Sequence, residues 1–201
     1  MKTKVKKMEK LTRIEVERLI ASGSELNFED ADLSNLDLSN LDLSEANFEG
    51  ADLEGANLEG ADLEGAVLFF AELSGANMVG SNLKYANLGR TLGNPNLKDA
   101  NMENAHLGGA ELYGANLTGA NLANAILKGT ILQGANLTNV NLQGANLENA
   151  YLGGVELKNV NLKNACLKGT RFNTLDFEGI NLEGTKLDEI VYVNEDDFLE
   201  D

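Results

Sequence analysis

Two side chains could act as nucleophile or proton carrier near neutral pH, His106 and Cys166, and each is the sole residue of its type. Nucleophilic and general-base catalysis need such groups in sets, a nucleophile beside a base and a base beside the group that orients it. The chain has no G-x-S-x-G, no P-loop, no H-E-x-x-H and no paired cysteine. It therefore reads as non-enzymatic, with no cofactor and no metal site called for. What remains is a surplus of carboxylates, 32 Asp and Glu against 16 Lys and Arg for a formal charge of -16. Their meaning depends on the elements that carry them.

Those elements follow from a period of five. Leu, Phe or Met recurs at every fifth residue from Phe28 to Leu88 and again from Leu97 to Leu187, which makes 32 pentapeptides. The residue two before the centre is Ala in 19 of them and the residue just before it is Asn or Asp in 21, so the repeat has a fixed inner and outer face. Five matches neither the 3.6 of an α-helix nor the alternation of a flat strand. If each pentapeptide forms one side of a coil and the chain turns about ninety degrees between sides, every central residue points to the axis and four repeats close a square. The small residue two before the centre then turns inward as well, and the other three positions face water. Gly and Asn at the last position suit corners, where branched residues are disfavoured. With stacked coils about 4.8 Å apart, the rod is on the order of 40 Å long.

The repeats, clearest in ADLEGANLEGADLEGA at residues 51–66, resemble the A(D/N)LXX signature of the pentapeptide-repeat family over residues 26–189. That resemblance implies an all-β solenoid, a right-handed quadrilateral parallel β-helix of about eight coils of 20 residues, and its handedness comes from the family alone. Such proteins abound in cyanobacteria, and a minority resemble DNA and bind type II topoisomerases. The resemblance thus implies a protein-interaction or scaffold role, of a regulatory kind, with a gyrase-directed DNA mimic as the alternative.

Three features interrupt the repeat. Between Leu88 and Leu97 the spacing is nine, and the register break at residues 89–96 holds the only proline, Pro95. Thr91 is expected as the small inward residue and Leu92 as the next centre, the alternative being a short outward loop over Thr91–Asn94. Solenoid ends need caps. Over residues 1–25 a basic segment precedes a short capping helix, with Thr12 and Glu15 in capping-box spacing, Leu11 and Val16 as a staple, and Gly23 at its end. Ile14, Leu19 and Ile20 are then expected to lie on the first coil. Residues 190–201 supply a last partial coil from IVYV and an acidic tail whose Phe198 and Leu199 are expected to fold back over the core.

Two surfaces qualify as contact sites. Val67, Phe69 and Phe70 surround the inward Leu68 and place three apolar groups where Asn, Glu and Gly are the rule, so they need a cover, either a partner or a terminal segment. The second surface is acidic: from Leu19 to Leu83 there are 14 Asp and Glu and no Lys or Arg. In a four-sided register Asp32, Asp52 and Glu72 fall one coil apart, where like charges should raise one another's pKa and attract cations. Glu49, Glu54, Glu59 and Glu64 complete this candidate acidic face.

The charge argues against direct nucleic-acid or membrane binding, because both demand a basic surface. One cysteine cannot form an internal disulfide, and no apolar run of signal-peptide or membrane-spanning length occurs. A cytoplasmic protein with an unidentified protein partner is expected, as a monomer or an end-to-end homodimer.

Overall fold

The computed structural model describes residues 10–173, 179–187 and 190–193. One helix, α1 (Arg13–Ala21), precedes a long succession of parallel bridges. Bridge partners lie 20 residues apart, as in Asn27 with Asn47 and Asp32 with Asp52, and four rows of bridges run through each such interval. The chain therefore coils with four sides per turn, each coil pairing with the next. Among the described residues only one of the four sides carries two-residue strands, β1 (Tyr151–Leu152), β2 (Arg171–Phe172) and β3 (Val191–Tyr192), paired in parallel in that order.

A repeated set of backbone bonds explains the pentapeptide. The N–H of each central residue donates to the carbonyl of the residue before the centre one coil on, as from Leu58 to Asn77 at 2.7 Å. That same residue before the centre donates back to the small inward residue of the preceding coil, as from Asn77 to Ala56 at 2.9 Å. The corner is closed within the coil, for example by Ala61 N–H to Leu58 carbonyl at 3.1 Å. The third residue of this turn holds a positive φ, which is why Gly or Asn recurs there. At Gly144 a second constraint acts, because an added Cβ would lie 2.5 Å from Asn124 Oδ1 on the coil before.

The core is one column of Leu, Phe, Met, Ala and a few Val, buried from Phe28 to Phe172 apart from the partly buried Leu36, Leu41 and Leu157. Burying each Leu stabilises the coil by about 1.5–3 kcal/mol. Phe28 and Phe48 stack inside it with ring centroids 5.1 Å apart. The rare polar residues at inward positions are bonded: Thr130 and Thr170 donate through Oγ1 to the carbonyls of Leu107 and Leu147 at 2.7 and 2.8 Å.

At the register break the structure corrects one expectation. Thr91 is buried as expected, but Leu92 is 40% exposed and occupies the outward slot, bridging Glu72 below and Glu111 above. The reason lies in the ladder. Leu92 donates to Ala71 carbonyl at 3.0 Å and accepts from Leu73 N–H at 2.8 Å, bonds that fix it as the residue before the centre. Gly93 takes the central place with no side chain, and a Cβ there would lie 2.5 Å from Ser74 N. Residues 91–94 thus form a side one residue short, and Asn94 Oδ1 accepts from Gly75 N–H at 3.3 Å. Pro95 is buried at the next small inward position.

The N-terminal cap forms as its sequence dictates. Thr12 and Glu15 make a reciprocal capping box, Val16 is fully buried, Leu11, Leu19 and Ile20 pack on the core, and Gly23 closes the helix at φ 63. Ile14 departs from expectation: it is 60% exposed, because Val16 and not Ile14 takes the inward face of α1. The start of α1 also substitutes for a missing coil. Leu11 N–H donates to Asp32 carbonyl at 3.3 Å, and the Arg13 guanidinium donates to the carbonyls of Asp37 and Ser39, both at 3.2 Å. These are carbonyls that a preceding coil would otherwise engage. At the other end Val191 pairs with Arg171 as a last partial coil, while Phe198 and Leu199 lie outside the described residues.

Candidate partner surface

Outward slots are normally filled by groups that serve the backbone. The Asn or Asp before each centre accepts from the N–H two residues on, as Asp52 Oδ1 does from Glu54 N at 3.0 Å. Where this residue is Asn, its Nδ2 commonly donates to the coil before, as Asn116 does to Asn96 at 3.0 Å, whereas Asn136 donates to Glu156 on the coil after at 2.7 Å. On one side this runs unbroken, with Asn121 donating to Asn101 at 3.1 Å, Asn141 to Asn121 at 2.9 Å and Asn161 to Asn141 at 2.9 Å. The sequence showed the Asn preference but not this double use.

Against that pattern the VLFF segment stands out. Val67 bridges Asn47 and Asn87 in the slot that Asn otherwise fills. Phe69 is half-buried and lies over the next coil, where a Cβ on Gly89 would come 3.2 Å from its Cδ2. Phe70 is 50% exposed, meets Phe69 edge-on at 4.4 Å between centroids, and has the Arg90 guanidinium 5.8 Å from its ring. Its backbone sits at φ 60, in the left-handed region that a bulky side chain disfavours by about 1–2 kcal/mol. Arg90 and Tyr85 hold the same kind of corner at φ 54 and 59, and Tyr85 is 57% exposed. These two escaped the sequence reading, although bulky residues at Gly and Asn corners were there to be noticed, and Leu92 was expected inside the coil and not on its surface.

The acidic residues spread round the rod. Asp32, Asp52 and Glu72 are brought into one row by successive bridges, and Glu54 follows on that side. Glu49, Glu59 and Glu64 lie on the other three sides, so the seven form a belt and not a single face. Asn77 and Asn82 donate to Glu59 and Glu64, each at 3.2 Å. Stacking does not raise the Asp32 pKa: the Ser34 hydroxyl at 2.7 Å and the Ser34 N–H at 3.0 Å hold it below the usual carboxylate range, with Lys10 adding to the effect. Asp37 and Asp42 are lowered in the same way by Ser39 and Ser44. His106 and Cys166 are both exposed in outward slots, on one side of the rod.

A stack of four-sided parallel coils defines a β-solenoid, and its repeat identifies which kind. The pentapeptide repeat model matches in eight copies over residues 27–65, 46–84, 61–91, 96–134 and 135–173, leaving out the shortened side. The chain belongs to the pentapeptide repeat family. Among solved structures it is similar to HetL, a pentapeptide repeat protein involved in heterocyst differentiation regulation from the cyanobacterium Nostoc sp. strain PCC 7120. Identity is 25% with a TM-score of 0.63, covering 92% of this chain and 98% of HetL. It also matches Rfr23 from the cyanobacterium Cyanothece 51142, at 24% identity and TM-score 0.31 over 89% and 97% of the two chains. Full-length QnrB1, a plasmid-mediated fluoroquinolone resistance protein, matches at 16% identity and TM-score 0.47 over 95% and 92%. No curated protein matches the chain in sequence.

Proposed function

We propose that this protein is a non-enzymatic, regulatory binding scaffold that engages a protein partner through Val67, Phe69 and Phe70. The observation that carries the reading is Phe70, half exposed in a strained corner where Gly serves the fold better. A residue kept against local backbone preference points to a role outside the fold. The similarity to HetL, itself named for a part in regulation, supports the regulatory element. We further infer a right-handed coil, as the family resemblance implies and as parallel crossovers favour, with the repeat domain over 26–189 between an N-terminal cap at 1–25 and a C-terminal cap at 190–201. A cytoplasmic site accords with the exposed thiol of Cys166. Among the described residues no helix is long and apolar enough to cross a membrane.

The test is Phe70→Gly. Relief of the left-handed penalty should hold or raise stability, by about 1 kcal/mol in urea unfolding, while partner capture from native lysate falls. Unchanged capture rejects this contact site. The DNA-mimic alternative draws on the carboxylates of residues 19–83, and gyrase supercoiling in the presence of the purified protein decides it: no inhibition over a broad concentration range discards mimicry.

A further inference from the structure

Backbone strain gathers round one side of the rod. Among the described residues the corners at positive φ hold Gly, Asn, Asp or Glu45, with three exceptions, Phe70, Tyr85 and Arg90 at φ 60, 59 and 54. All three border a single side over two successive coils, those joined by the Val67–Asn87 bridge. Tyr85 stands where the chain enters that side, and Phe70 and Arg90 stand where it leaves. Bulky side chains gathered where the backbone disfavours them point to a role outside the fold. Between these margins the surface is lowered. Gly89 and Gly108 follow the central Leu on consecutive coils, and neither has the positive φ that would call for glycine. A Cβ on Gly89 would lie 3.2 Å from Phe69 Cδ2 and 3.3 Å from His106 Nδ1, and one on Gly108 would lie 3.0 Å from His106 Cε1. The floor is thus glycine backbone with Phe69 and His106 lying against it.

Charge identifies what this shallow groove accepts. From residue 19 onward the first cations along the chain are Lys84 and Arg90, and each lies on a ring of this border. Lys84 Nζ is 5.3 Å from the Tyr85 ring centroid, and the Arg90 guanidinium is 5.8 Å from that of Phe70. The outward slots of this side from Val67 to Gly129 hold Arg90 and Lys128 and no Asp or Glu, in a chain of net charge -16. Lys84 and Lys128 are paired with Glu103 and Glu148 at 3.5 and 3.3 Å, whereas the exposed Arg90 makes no ion pair among the described residues. A guanidinium resting on an aromatic face keeps its N–H edge free for a carboxylate, which it can hold through two parallel hydrogen bonds.

We propose that this side is a groove for an extended acidic segment of a partner protein, one in which carboxylates flank one or two apolar side chains. The apolar groups pack on Val67, Phe69 and Phe70, and a carboxylate meets Arg90. The proposal rests on the contact site argued above and adds the class of partner that the site selects. An apolar segment without acid would leave Arg90 unused. A basic one would be repelled by Arg90 and drawn instead to the carboxylates of residues 19–83.

The test is fluorescence anisotropy of the full chain with labelled hexapeptides at about 0.05 M salt, each holding Phe-Leu between pairs of aspartate, serine or lysine. The aspartate-flanked peptide should bind with a Kd of about 100 µM and the serine-flanked one about fivefold or more weakly. Arg90→Glu should weaken the aspartate-flanked peptide by about tenfold or more and leave the serine-flanked one within about twofold. The corner itself accepts this change, since Glu45 holds such a corner at φ 58. Arg90→Asn, with the residue many of these corners carry, serves if Arg90→Glu fails to fold. Phe70→Gly should weaken both peptides, while the lysine-flanked one should respond to neither variant because it binds on the acidic coils. The proposal is overturned if the aspartate-flanked peptide does not bind up to about 2 mM, if it binds no better than the serine-flanked one, or if folded Arg90 variants bind it like wild type. Self-association that is lost in Phe70→Gly and undisturbed by the aspartate-flanked peptide assigns the side to a second copy and overturns it too. The contact site fails by a different result, unchanged lysate capture by Phe70→Gly. Loss of that capture without binding of the aspartate-flanked peptide therefore removes only the acidic partner.

Discussion

A fully buried residue and an exposed one are neighbours on every side of this coil, so a single pair of substitutions measures what the axis demands. Leu58 is wholly inaccessible while Glu59 is exposed. Leu58→Asp puts a carboxyl into a column of Leu and Ala with no donor to receive it. The expected loss is several kcal/mol, or a strongly raised carboxyl pKa, whereas Glu59→Asp should stay within about 0.5 kcal/mol. Urea unfolding of the two variants, with Leu122→Asp and Ala123→Asp as a second pair, is the measurement. Equal tolerance at inner and outer positions would contradict the inward column. At this scale the period told nearly everything, because hydrophobicity alone sorts inner from outer. It failed at Leu92 for a definable reason: two ladder bonds to Ala71 and Leu73 hold that residue outside, and backbone pairing outweighed the burial of one side chain. Counting residues revealed the deletion; only the register of the bonds revealed which residue lost its place.

The capping helix shows how an element closes a solenoid by imitating what is absent. The Leu11 N–H just before the helix and the Arg13 guanidinium at its start fill the carbonyls of Asp32, Asp37 and Ser39, and Arg13 Nη1 also approaches Asp37 Oδ2 at 3.1 Å. The capping box was legible in the spacing of Thr12 and Glu15, but Arg13 was not, since nothing in a sequence says which carbonyls a first coil leaves open. This end of the molecule also holds carboxylates that contribute to the response to acid. Asp32, Asp37 and Asp42 have pKa values lowered by the hydroxyl and N–H of Ser34, Ser39 and Ser44, and Glu15 is lowered by Thr12. A carboxylate whose folded pKa lies below its unfolded value adds stability that is complete above the unfolded pKa and is lost as pH falls through the folded one. Replacing the three serines by alanine removes the hydroxyl donors, so the acid unfolding midpoint followed by circular dichroism should move to higher pH. Stability at neutral pH should fall as well. An unmoved acid limb would mean that these turns hold equally well around protonated carboxyls.

Each coil touches only its neighbours, so the whole molecule is a one-dimensional stack whose ends and middle differ in stability. The lower coils mix Asp with Asn in the slot before the centre and have no Lys or Arg from residue 19 to 83. The upper coils carry the Asn ladder from Asn101 to Asn161 and ion pairs such as Lys163 with Glu183 at 2.9 Å. The two halves thus bury the same Leu column but differ in surface electrostatics, a difference visible in the sequence only once the four-sided register is known. Like charges on coils about 4.8 Å apart repel within a Debye length, which is about 30 Å at 0.01 M salt and less than 10 Å at 0.15 M. Native-state hydrogen exchange should therefore find the amides of Asn57 and Asp62 less protected than those of Asn121 and Asn141 at low salt. Added salt should raise protection in the lower coils and leave the upper ones nearly unchanged, narrowing the gap. If both halves respond alike, self-repulsion of the acidic coils is too small to set local stability, and the Asn ladder alone would have to account for any difference between them.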